Sequence, residues 1–84
     1  MSEKVEPVSL SSLVPGEHGT VESIVMKHIG VRKRLLEMGL IKGTRVEFVR
    51  SAPMGDPIEI RVGSYRLSLR RVEAEAVLVQ KEAP

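Results

Sequence analysis

Between Thr44 and Arg70 three short segments alternate apolar and polar residues, and the chain reverses between them at turn-forming residues. Val46 and Phe48 point one way while Arg45 and Glu47 point the other; Ile58, Ile60 and Val62 alternate with Glu59 and Arg61. Tyr65, Leu67 and Leu69 alternate with Arg66, Ser68 and Arg70. A period of two puts successive side chains on opposite faces of a strand, so each segment can bury one face and wet the other. The reversals are Pro53-Met54-Gly55-Asp56-Pro57 and the two-residue step Gly63-Ser64, the latter a hairpin signal. In a chain of 84 residues, this pattern commits the single available core to an antiparallel sheet.

The flanking segments complete a small fold. His18 to Met26 reads as an earlier strand whose apolar set (Val21, Ile24, Val25, Met26) breaks alternation, so a bulge near Ser23 is expected. Val31 to Met38 reads as a helix: Val31, Leu35 and Met38 share a face, Leu36 and Leu40 widen it, and Gly39 supplies a left-handed C-terminal cap. Ser9 is placed to cap a single helical turn at Leu10–Leu13. Arg71 to Ala76 predicts a second helical turn and Val77 to Val79 a closing strand. The expected fold is mainly β: a small, partly open SH3-like β-barrel of about five antiparallel strands with two or three short helices; an OB-like barrel is the competing architecture. The expected domain runs over residues 8–80 behind a flexible arm at 1–7, with Leu35, Leu36, Met38, Val46, Phe48, Ile58, Ile60, Leu67 and Leu69 in the core.

Several chemistries lack their residues. With no cysteine, thiolate metal sites, thiol catalysis and disulfides are absent. No serine sits in a glycine-flanked elbow and no GxxxxGK[ST] loop is present, so the chain reads as non-enzymatic. The N-terminus lacks the apolar core of a signal peptide, and no apolar run reaches the ~20 residues that span a bilayer, so a cytoplasmic location is expected. His18 and His28 are the only histidines; no required cofactor is expected, and metal contact is limited to a weak or transient one with ferrous iron or another divalent ion.

Charge is unevenly placed. From Ile29 to Arg71 ten Lys or Arg face four acids, whereas the rest of the chain is acidic on balance. That favours an acidic partner surface or nucleic acid. Nucleic-acid barrels usually add aromatic platforms for base stacking, and here one Phe and one Tyr are available. The candidate partner-binding residues are Arg32, Lys33 and Arg34 on the helix and Met54, Gly55 and Asp56 in the proline-bounded loop. Met54 is either displayed to a partner or folded back on the barrel end. Edge strands of an incompletely closed sheet also offer pairing between copies.

Five pieces of this sequence together resemble the FeoA family of small accessory proteins of bacterial ferrous iron transport. They are Leu10-Ser11-Ser12-Leu13 with Pro15-Gly16; Arg34-Leu35-Leu36-Glu37-Met38-Gly39-Leu40; Lys42-Gly43-Thr44; Ala52-Pro53-Met54-Gly55-Asp56-Pro57; and Tyr65-Arg66-Leu67-Ser68-Leu69-Arg70. The likeness runs from about Val8 to Val79. It implies an SH3-like barrel and a role beside a membrane ferrous iron transporter of the FeoB type that carries a cytosolic GTPase domain. The chain would bind or regulate that transporter rather than form its pore. The alternatives are a basic nucleic-acid-binding barrel or a stand-alone transition-metal-binding module, since the same barrel closes metal-dependent repressors of the diphtheria-toxin-repressor type.

Overall fold

A computed structural model describes residues 6–26 and 28–83. The first five residues of the arm expected over 1–7 lie outside the described residues. Six strands form one antiparallel sheet in the order β1-β6-β2-β3-β4-β5: β1 (Val8–Ser9), β2 (His18–Ile24), β3 (Arg45–Ser51), β4 (Ile58–Val62), β5 (Tyr65–Leu69) and β6 (Val77–Lys81). Two helices, α1 (Ile29–Glu37) and α2 (Arg71–Ala76), and a 3₁₀ turn at Leu10–Ser12 complete it. The sheet does not close: β1 and β5 are its two edges.

The three alternating segments form β3, β4 and β5 in the expected register, with Val46 opposite Val62, Phe48 opposite Ile60 and Ile60 opposite Leu67. Their inward residues Val46, Phe48, Ile58, Ile60, Val62 and Leu69 are buried together with Val21, Leu35, Leu40, Val77 and Val79. Two register shifts bend the sheet, one between Val21 and Ser23 where the broken alternation predicts it, the other between Phe48 and Arg50. Bulges of this kind add the local twist that curls a small sheet around its core.

The expected mainly β fold of about five strands is present, with six in all once the two-residue β1 is counted, in which Val8 and Ser9 pair with Val79 and Leu78. Three expectations need correction. The second strand stops at Ile24; Val25 leaves the ladder, donates its N–H to the Ala76 carbonyl and turns its side chain to solvent. Ser9 does not cap the 3₁₀ turn with its side chain; its hydroxyl donates instead to the Glu75 carbonyl. Leu36 is not a core residue but exposed, since α1 lays only Leu35 fully into the core, with Val31 and Met38 packed at its margin.

Candidate functional site

The loop between β3 and β4 is held at both its base and its tip. At the base the Ala52 N–H donates to the Pro57 carbonyl at 2.9 Å, and the Gly55 N–H donates to the Ala52 carbonyl at 2.7 Å. The Asp56–Pro57 peptide is cis. The rest of the restraint comes from α2. Arg71 Nε donates to the Gly55 carbonyl at 2.8 Å, and the Arg71 N–H donates to Asp56 Oδ1 at 3.1 Å. Asp56 therefore satisfies one of the orphan donors at the start of α2 from a distant part of the chain. With Gly55 and Asp56 turned toward Arg71, Met54 is left at the tip, 93% exposed. Of the two arrangements open to Met54, the structure shows the displayed one.

The α1 cations are arranged differently. His28 is the N-cap: its Nδ1 accepts the Val31 N–H at 3.3 Å. Arg32 sends its guanidinium to the Ile24 carbonyl, and Arg34 Nη2 pairs with Glu73 Oε2. Glu73 is 5% exposed, and its other oxygen accepts the Arg70 N–H at 2.9 Å. A carboxylate this deeply placed needs both partners to offset its desolvation. Lys33 projects from the exposed face of α1, as does the neighbouring Leu36.

Both groups of candidate residues are thus fastened to α2, the loop through Arg71 and α1 through Glu73. The sequence singled out the loop and the helix but not the short element joining them. Arg70-x-x-Glu73 has the spacing of an N-cap reciprocated from the third helical position, which was the available signal. Nothing in the local sequence pointed to Arg34 as the partner of Glu73.

Elsewhere the basic middle of the chain is largely cross-linked. Arg45 makes a bidentate pair with Glu82, with Nε at 2.5 Å and Nη2 at 3.0 Å. Glu59 is gripped by Arg50 and Arg66, both at 2.9 Å, and Arg61 lies 3.4 Å from Glu47. The hydrogen bonds from Arg50 and then Arg66 hold the Glu59 carboxyl below the usual carboxylate range, and Arg45 does the same for Glu82. Such pairing lowers the free positive charge that a polyanion would meet. His18 opens β2 and faces Glu47 at 3.6 Å, whereas His28 lies beyond the strand's far end. Among the described residues no three His, Cys, Asp or Glu side chains gather in a metal-binding group. Shallow hollows occur in the surface, such as one of about 150 Å³ beside His18, Arg45, Glu47 and Arg61. That is smaller than the ~300–1,000 Å³ of most small-molecule sites.

Comparison with known proteins supplies what this geometry cannot. The family model described as the FeoA domain matches residues 8–81. The chain is 35% identical over 71 residues to the Fe(2+) transport protein A/Fe(2+) transporter FeoB fusion protein of Porphyromonas gingivalis. That match takes in 84% of this chain but only 8% of the length of the fusion protein. Among solved structures, the FeoA-like protein of Clostridium acetobutylicum superposes with a TM-score of 0.86 at 33% identity, covering 96% of this chain and 93% of that one. The zinc-complexed FeoA of Stenotrophomonas maltophilia, a prokaryotic SH3-domain protein, gives 0.77 at 33% identity, covering 89% and 95%. The partly open sheet described above is thus an SH3-like fold.

Proposed function

We propose, since this chain belongs to the FeoA domain family, that it is a non-enzymatic accessory protein of ferrous iron uptake. In this reading it docks in the cytoplasm on the cytosolic part of a FeoB-type transporter. The observation that carries the proposal is Met54, 93% exposed at the tip of a loop tied down by Arg71 and Asp56. A thioether adapts its shape to a partner surface. A loop already held in place loses little conformational freedom on binding, so less of the contact energy goes into ordering it. Lys33, with the outer part of Arg34, adds positive charge suited to an acidic patch and raises the rate of encounter. The protein needs no cofactor of its own for this role.

Support comes from the Porphyromonas gingivalis fusion, in which a region similar to this chain and a FeoB transporter share one polypeptide. The test is calorimetric titration of the chain into the isolated cytosolic GTPase domain of such a transporter, with GTP, with GDP and with no nucleotide. Association in at least one state, weakened roughly tenfold by Met54→Ala, is expected for a central apolar contact of about 1–2 kcal/mol. Heat flat in all three states would end the reading.

A further inference from the structure

We infer that β5 is the pairing edge of a symmetric dimer, in which two copies join their sheets antiparallel through this strand. The inference does not rest on the transporter reading. β5 follows β4 through Gly63-Ser64, with Val62 opposite Tyr65 and the ladder running regularly to Ile58 opposite Leu69. Gly63 has φ +60° and Ser64 does not have a positive φ, which is the type II′ arrangement. In such a two-residue hairpin the closing pair is hydrogen-bonded, and bonded and non-bonded pairs alternate from there. Tyr65, Leu67 and Leu69 therefore spend their backbone groups on β4. Arg66 and Ser68 point their N–H and C=O groups away from it, along an edge where both residues are exposed.

Natural edges are usually blunted by proline, bulges, extreme shortness, a charged side chain or a covering helix or loop. The opposite edge, β1, is blunted by its length of two residues. β5 has five residues, no proline and no break in register, and its one charged residue, Arg66, is already offset by Glu59.

Self-pairing also suits the side chains. Centring the two-fold axis on Leu67 sets Arg66 opposite Ser68 of the second copy, and the reverse. About four backbone hydrogen bonds then form between the copies. This register keeps the two Arg66 guanidiniums from facing each other, an arrangement that like charges disfavour. Ser68 lies opposite Glu59 within its own copy. Each Arg66, which already bonds its own Glu59 at 2.9 Å, thus also approaches the Glu59 carboxylate of the second copy. On the other face Leu67 meets its own counterpart, flanked by Tyr65 and Leu69.

The test is sedimentation velocity over a concentration series, paired with amide hydrogen exchange on the full chain. A dimer fraction rising with concentration is expected, with exchange at Arg66 and Ser68 slowing in step. Ser68→Pro removes an N–H that the intramolecular ladder does not use. It should keep the native circular dichroism while weakening dimerisation roughly 30-fold, two hydrogen bonds being lost per dimer. A monomer up to millimolar concentration overturns the inference. So does a dimer in which Arg66 and Ser68 exchange freely, or one that Ser68→Pro leaves as tight. Should Ser68→Pro not fold, the exchange data on the native chain decide alone. Protection of these amides appearing only on addition of a transporter domain also overturns the homodimer. Loss of the dimer leaves the docking role of Met54 untouched, because that is read by a separate titration.

Discussion

Gly39 and Tyr65 should be energetically coupled, and the sign of the coupling follows from two distances. Gly39 ends α1 with φ +100°, a conformation that side chains disfavour. A Cβ built there would lie 2.5 Å from Tyr65 Oη, and that hydroxyl donates to the Met38 carbonyl at 2.6 Å. Gly39→Ala therefore meets two costs. The left-handed backbone costs about 1–2 kcal/mol for a residue with a Cβ. The displaced hydroxyl also gives up its hydrogen bond, worth about 1 kcal/mol. The expected sum is about 2–3 kcal/mol, which in a domain of this size lowers the melting temperature by roughly 10–20 °C. Tyr65→Phe alone costs about 1 kcal/mol. In the double variant the hydroxyl is already gone, so the total stays near that of Gly39→Ala, about 1 kcal/mol short of additivity. Urea and thermal unfolding followed by circular dichroism measure all four corners. A Gly39→Ala variant within about 0.5 kcal/mol of the parent would show that the positive φ is not enforced. Strict additivity would show that the hydroxyl is not what the new methyl group meets.

Three further outcomes are expected. Arg34→Ala leaves the Glu73 carboxylate buried with one partner removed, so destabilisation of about 3 kcal/mol is expected by urea melt, with much of it recovered by adding Glu73→Gln; a variant as stable as the parent would refute the buried pair. Arg71→Ala removes the side-chain bond to the Gly55 carbonyl while keeping the backbone N–H bond to Asp56, and it should speed amide exchange at Met54 and Gly55 without moving Met54 out of solvent; unchanged exchange would mean the loop is rigid for other reasons. Glu17 is held below its ordinary value of 4.5, first by the Lys81 hydrogen bond, as Glu59 is by Arg50 and Arg66 and Glu82 by Arg45. A depressed folded value means that the folded chain binds fewer protons than the unfolded one between the two values. The stabilisation is therefore present above about pH 4.5 and lost as pH falls through the folded values. The melting temperature should hold level near neutrality and drop below about pH 4.5, less steeply in high salt; no drop down to about pH 3 would mean that these exposed pairs contribute nothing.

Much of this fold is legible in the sequence because period two is a local property. β3, β4 and β5 each carry it over at least five residues, and the bulge near Ser23 shows as a fault in the same rhythm. β1 is illegible for the same reason, since two residues cannot display a period and their pairing with β6 is decided from the far end of the chain. Leu36 misled because helical spacing says which residues share a face and not how wide a face finds cover; α1 buries one side chain completely. The candidate site follows the same division. A proline-bounded loop announces itself, whereas its clamp at Arg71 and the pairing of Arg34 with Glu73 join residues 15 or more positions apart. His28 reads as a surface histidine, yet its ring nitrogen caps α1.

The pairing of β6 and β3 on either side of β2 sets the direction in which anything spliced on after β6 would leave. Both strands run antiparallel to β2, so they run the same way. The Glu82 N–H donates to the His18 carbonyl, and His18 lies opposite Glu47, so β6 runs out level with the first half of β3. Met54 follows the end of β3, beyond Ser51. From Glu47 to Ser51 an extended strand advances roughly 13 Å. A membrane protein spliced on just after Glu82 would set off toward the pole that carries the methionine, and its connecting segment would not have to double back across the domain before the two could touch.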